Sequence, residues 1–382
     1  MLFLSGLPQL FSSLLFWPLL LQDENNLSRI FVVSIKYPAV LYKPVIIEKI
    51  HEETKGFKTF TFKEGHGIEY RAGQYITFVQ KNIQEEIRRS YSIVSSPLLK
   101  EPLTIGVKRI ENGVFSRELI DHAKIGDEFV TTGAGGFFTL PDDTSHICQI
   151  FFLAAGSGIT PVYSLLKTVL HFHPHIHAVL IYSNPSPQKT VFFSQLNELK
   201  QSFAERFHLQ FLFSNSMDLL MARLNRELLV ELTKAHSVCR FDQTLFYLCG
   251  PEAYMRMCTY TLQEENVPKE NIRKEYFVIH SKQLPKNDPP DKEDHVVTIE
   301  YGNEHYQLKV QYPNSILQAA KKQNISLPYS CETGRCGNCA AKCIEGKVWL
   351  SYNEVLTETD LQNGLTLTCV GHPVDGDVVL KI

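Results

Sequence analysis

The chain has 382 residues, 44% of them hydrophobic and 21% charged, with a formal net charge of −3. That length allows two or three domains of ordinary globular protein, and the charge leaves no electrostatic footprint for nucleic acid. Nine cysteines without regular disulfide spacing point to metal or redox chemistry in a reducing compartment.

The chain opens with MLFLSGLPQLFSSLLFWPLLLQ, which has no charged side chain before Asp23. Its apolar run reaches the roughly 20 residues of a membrane span. Gly6, Pro8, Pro18 and the serines at 5, 12 and 13 dilute it, and no Lys or Arg precedes it. Residues 1–37 are read as an apolar extension. A membrane anchor, a packed or loose segment and an over-long start all remain open.

Residues 38–140 carry short β-like runs: PVIIEKI, FKTFTF, GQYITFVQ, RSYSIVSS and LTIGVKRI. Gly, Pro and charged turns separate them, the pattern of an antiparallel barrel or sandwich. RRSYSIVSS contains Arg89, Tyr91 and Ser92 as R-x-Y-S. GVFSREL follows, with Gly113 and Ser116 opening a short helix. A glycine–serine helix start suits phosphate through its free N–H groups.

Over residues 141–280 apolar strands alternate with helix-like stretches, which predicts a parallel sheet with helices on its faces. FLAAGSGITPVYSLL places Gly156, Gly158 and Pro161 as G-x-G-x-x-P between a strand and a helix, with Thr160 inside the turn. That context suits close approach of backbone to a pyrophosphate. YLCGPEAYM gives a second strand–turn–helix at Cys249, Gly250 and Pro251, and KEYF, containing Glu275, closes the domain. HFHPHIH alternates histidines, but Pro174 breaks the run and a solvated loop is expected.

SKQLPKNDPPDKED (281–294) reads as a proline-stiffened linker. Beyond it, residues 295–382 hold Cys331, Cys336 and Cys339 as C-x4-C-x2-C, with Cys369 standing apart. This is the plant-type [2Fe–2S] spacing, in which four thiolates converge on two tetrahedral irons. Zinc sites favour two short C-x2–4-C hooks instead. Cys343 matches no ligand position and is read as a packed bystander.

The segment LPYSCETGRCGNCAAKCIEGKV…LTLTCVGHP resembles the plant-type ferredoxin domain. The order R-x-Y-S, strand, G-x-x-S resembles the FAD-binding barrel of the ferredoxin–NADP reductase superfamily. As a whole the chain resembles oxygenase reductases with a C-terminal cluster, the phenol- and ring-oxygenase reductases and the phenylacetyl-CoA epoxidase reductase among them. The resemblance implies a multidomain fold: an antiparallel FAD barrel, an α/β NAD(P) domain and an α+β β-grasp ferredoxin domain. It implies that Tyr91 stacks on the isoalloxazine, Ser92 bonds near N5 and Arg89 faces the pyrophosphate. Ile105, Val107 and Lys108 would line the adenine side, and Gly113 to Ser116 would hold phosphate. Gly156, Gly158, Thr160, Pro161, Gly250 and Pro251 would seat NADH or NADPH, with Cys249 beside the nicotinamide and Glu275 near the flavin. Cys331, Cys336, Cys339 and Cys369 would hold the cluster.

The Arg common after Asn184 in such proteins is replaced by Pro185, and Lys189 is the nearest cation, which favours NADH. The implied activity is electron transfer from NAD(P)H through FAD to the cluster and on to an oxygenase-type partner. The implied setting is cytoplasmic, attached to the inner face of the membrane if the N-terminus anchors. A redox sensor, a zinc-bearing interaction module on an inactive flavodomain, and a reductase for a hybrid-cluster protein or membrane desaturase are the alternatives.

Overall fold

A computed structural model describes residues 17–19, 31–33, 42–81, 86–277, 287–302 and 304–382. Strands β1 (Trp17–Leu19) and β2 (Phe31–Val33) form a small antiparallel pair. The rest of the predicted 1–37 extension lies outside the described residues. Among those described, no helix is long and apolar enough to cross a membrane.

The predicted barrel is built from β3 (Lys43–Thr54), β4 (Phe57–Phe62), β5 (Tyr75–Lys81), β6 (Glu86–Ser92), β7 (Thr104–Lys108) and β8 (Glu128–Gly135). They run antiparallel in the order β6-β5-β8-β3-β4-β7. A bridge between Ile93 and Ile105 joins the two ends and closes the sheet. Phe78 sits at the centre, with the rings of Phe62, Tyr91, Phe115 and Phe129 at 5.9, 6.0, 5.9 and 5.8 Å. Phe115 belongs to α1 (Val114–Arg117), and Leu119 and Ile120 in the turn that follows complete the plug.

The second unit runs β9 (Gln149–Ala155), α2 (Ile159–Phe172), β10 (His177–Asn184), α3 (Phe193–Ser202), β11 (Phe207–Phe213), α4 (Arg226–His236), β12 (Thr244–Cys249), α5 (Glu252–Glu264) and β13 (Ile272–Glu275). Its sheet is parallel, ordered β11-β10-β9-β12-β13. Strand β9 is buried up to its last residue, as expected when helices cover both faces. The chain moves outward from β9 to β11, then returns to lay β12 on the other side of β9. A crevice therefore opens beyond the carboxyl ends of β9 and β12. At the opposite end, Cys148 and Cys239 lie within disulfide reach, with Cα atoms 6.4 Å apart. His173 and His175 both engage Thr144 in the loop where the alternating histidines fall.

The third unit holds β14 (His295–Tyr301), β15 (Glu304–Val310), α6 (Ile316–Lys322), β16 (Ala340–Leu350), α7 (Glu358–Gln362), β17 (Leu365–Leu367) and β18 (Gly371–Lys381). The order is β15-β14-β18-β16-β17, with β14 and β18 parallel and the other pairs antiparallel. The sheet grips α6 through Ile316, Leu317, Ala319 and Ala320, and a Ser315–Gln318 capping box starts that helix. The later part of the predicted linker belongs to this unit. Asp288 accepts from Tyr312, Asp291 from His295 and from the Asp375 amide, and Asp294 pairs with Lys309.

Candidate active site

Strand β6 carries two functions on alternate faces, because successive side chains of a strand point oppositely. Arg89 and Tyr91 share one face. Arg89 is exposed, and Tyr91 is half-buried against Phe78 and Phe115. Arg88, Ser90 and Ser92 share the other. The Ser92 hydroxyl donates to Glu275 Oε2 at 3.0 Å, joining the barrel to the end of β13.

Glu275 is 8% exposed, and its second oxygen, Oε1, is buried with no partner. Burial pushes its carboxyl up to about 8, against the lowering effect of the Ser92 bond. Cys249 pairs with it across β12 and β13, fully buried. Burial first, and Glu275 second, raise the Cys249 thiol well above its ordinary range. Gly158 closes the crevice from the β9 side. A Cβ there would lie 2.0 Å from the Cys249 carbonyl oxygen, so only glycine lets the two turns meet. Thr160 donates to the Ser157 carbonyl at 3.0 Å, and Pro161 sits in the first turn of α2.

Cys331, Cys336, Cys339 and Cys369 gather at one end of the third unit. Hydrogen bonds from the Cys336 and Cys369 thiols hold the Cys331 thiol well below the ordinary thiol range. Cys369 also touches Cys339. The amides of Thr333 and Asn338 point at the sulfurs of Cys331 and Cys336, at 3.4 and 3.5 Å. Gly337 at φ +78° gives the loop its left-handed turn. Among the described residues no three or more His, Cys, Asp and Glu side chains are arranged as a cage for one metal ion. Four convergent thiols with amides aimed at sulfur suit a two-iron cluster in their chemistry. The orphan Glu275 oxygen and the half-buried Tyr91 likewise suit a bound flavin.

The loop with these cysteines is seated on the barrel. The Tyr75 hydroxyl donates to the Cys336 carbonyl at 2.8 Å. Ser90 Oγ lies 2.9 Å from Ser330 Oγ. Arg88, its side chain 3% exposed, pairs with Glu86, donates to the Tyr329 carbonyl and stacks on the Tyr329 ring at 3.6 Å. The nucleotide unit adds an Arg273–Asp360 ion pair at 3.5 Å.

Three of the residues expected at the flavin site have side chains engaged elsewhere. The Ile105 and Val107 side chains are fully buried in the barrel core. Between them, Gly106 faces Thr160 of the nucleotide unit. The Ser116 hydroxyl is used inside its own loop, accepting from the Ile110 amide and donating to the Gly113 carbonyl. Lys108 at the strand end is exposed. Tyr75, Arg88 and Ser90 escaped the reading of the sequence. The only local sign was the doubled arginine of RRSYS, whose first member does the docking.

Residues 44–140 match the oxidoreductase FAD-binding domain, 152–259 the oxidoreductase NAD-binding domain and 301–374 the 2Fe-2S iron-sulfur cluster binding domain. The chain is therefore an FAD- and [2Fe–2S]-dependent NAD(P)H oxidoreductase. It is 30% identical to a 1,2-phenylacetyl-CoA epoxidase component of Escherichia coli, covering 89% of this chain and 97% of that one. It belongs to that family of FAD, NAD(P)H and [2Fe–2S] electron-transfer reductases. The glycine betaine monooxygenase reductase subunit of Pseudomonas aeruginosa is 25% identical over 87% of this chain and 93% of its own. Among solved structures, phthalate dioxygenase reductase shares the fold, with a TM-score of 0.54, 20% identity and coverage of 89% and 98%.

Proposed function

We propose that the chain is the reductase component of an oxygenase system, taking hydride from NADH and delivering single electrons to a separate oxygenase protein. The relatives named for epoxidase and monooxygenase systems support the partner class. Pro185 and the absence of a cation before the exposed Lys189 support NADH, since a 2′-phosphate calls for Arg or Lys. The reducing cytoplasm, where NADH is supplied and thiolates persist, is the proposed location.

Bound FAD would accept a pair of electrons and release them singly, and the cluster would take them one at a time. The residues supply position and protons. Tyr91 would lie under the ring system and Arg89 would face the pyrophosphate, its fixed charge suited to a dianion. Gly113 and the amides after it would hold phosphate, with Ser116 shaping the loop rather than touching ligand. Gly156, Gly158, Gly250 and Pro251 would let NADH approach along the crevice, with Thr160 and Cys249 flanking the nicotinamide. Glu275, neutral at pH 7, would hold a proton beside the flavin, and Ser92 would fix that carboxyl. Cys331, Cys336, Cys339 and Cys369 would hold the cluster.

The Ser92–Glu275 bond carries this reading, because it joins the barrel to the nucleotide unit at a buried carboxyl that can hold a proton. The test is anaerobic purification followed by rapid mixing with NADH and with NADPH. Flavin bleaching and then cluster bleaching, with a larger kcat/KM for NADH, is the expected result. A colourless, iron-free folded protein would end the reading.

A further inference from the structure

We propose that Tyr75 is the positioning residue that holds the cluster loop at electron-transfer distance from the flavin site. This rests on the reading above. Tyr75 stands on β5 directly opposite Ser92 in register, so it is the cross-strand partner of the residue that bonds Glu275. It is 4% exposed, and its hydroxyl ends on the carbonyl of Cys336, itself a cluster ligand. Ser90 and Arg88 bond to Ser330 and Tyr329, which lie ahead of the ligand loop. Tyr75 alone of the three grips the loop between ligands.

The surroundings are shaped for that grip. A Cβ on Gly136 would lie 2.7 Å from Tyr75 Cε1, and one on Gly135 would lie 2.6 Å from Asn338 Oδ1. A Cβ on Gly337 would lie 2.6 Å from Phe137 Cδ2. Glycines on both sides thus let the barrel end and the cluster loop close on each other, and the phenol fixes their register. With FAD and cluster bound, each transfer would move one electron from flavin to the two-iron centre, and two transfers would discharge the pair that one NADH brings as hydride. Tyr75 neither gains nor loses an electron, and its proton stays on the hydroxyl that donates to Cys336.

The test is Tyr75→Phe in the full chain, loaded with FAD and cluster and mixed with NADH in a stopped-flow instrument. Flavin reduction should match the wild type, while flavin-to-cluster transfer should slow by roughly tenfold, the upper range for one neutral hydrogen bond. Hydrogen exchange at residues 336–339 should rise in the chain before cluster loading. Phe137→Ala, which thins the contact but keeps the hydroxyl bond, should slow transfer less than Tyr75→Phe. Equal transfer in Tyr75→Phe and wild type, equal slowing in the two variants, or loss of FAD from Tyr75→Phe each overturns the proposal. A wild-type chain that moves no electron from flavin to cluster would instead overturn the function proposed above.

Discussion

The Ser92 hydroxyl and the Glu275 carboxyl meet at 3.0 Å although 183 residues separate them. The bond spans the boundary between barrel and nucleotide unit. It leaves the other Glu275 oxygen buried and unpartnered, facing no charge that would stabilise its ionised form.

That burial sets a pH dependence. The folded carboxyl titrates near 8, above its unfolded value, so the folded state disfavours ionisation. The associated stability is fully present below the ordinary carboxylate pKa and is lost as pH rises through about 8. Glu275→Gln should remove the loss. Thermal melts of variant and wild type should coincide near pH 5 and separate above pH 8, by a stability difference on the order of a few kcal/mol. In NADH-dependent cytochrome c reduction, the alkaline limb near pH 8 should vanish in the variant. Parallel melting curves across that range would show that Glu275 is not held neutral.

Gly158→Ala should separate the two turns that flank the crevice. Its new methyl would overlap the Cys249 carbonyl oxygen, which is backbone and cannot rotate away. Overpacking of this kind costs about 1–3 kcal/mol. KM for NADH should rise while the FAD content of the purified protein stays at the wild-type level. An unchanged KM would mean that the nucleotide does not use this crevice.

Cys369→Ser should abolish the cluster spectrum and cytochrome c reduction while sparing flavin reduction by NADH. Cys343→Ser should keep all three. Its thiol donates to the Glu345 carbonyl at 3.4 Å. Iron content and visible spectra check both variants, and loss of iron from Cys343→Ser would reassign the ligand set.

The C-x4-C-x2-C loop and the glycine turns stand out as motifs because each spans only a few residues of chain. Fold class was legible for the same reason, since β9 is apolar throughout and the barrel strands are short and separated by turns. Tyr75, Arg88 and Ser90 were not. Their partners lie 261, 241 and 240 residues away, and nothing in a strand reports what docks on it. In β7 the core takes the side chains of Ile105 and Val107 while Gly106 meets the nucleotide unit, a placement that the strand's own pattern does not report. A serine at a helix start serves its own loop as readily as a ligand, and the Ser116 hydroxyl does so here.

The seat between barrel and ferredoxin unit bears on how electrons leave. Seated, the Cys336 side of the cluster loop is covered by Tyr75, and Gly337 by Phe137. A protein acceptor that needs this edge must wait for the unit to move away. Ser90 and Ser330 lie 2.9 Å apart at Oγ, close enough for a bridge if both become cysteine. In the oxidised Ser90→Cys, Ser330→Cys double variant, NADH should still reduce flavin and cluster at wild-type rates. Reduction of cytochrome c should fall by roughly tenfold or more, a barrier of about 1.4 kcal/mol, and a thiol reductant should restore it. Full cytochrome c reduction with the bridge intact would mean that the acceptor reaches the cluster from the open side while the unit stays seated.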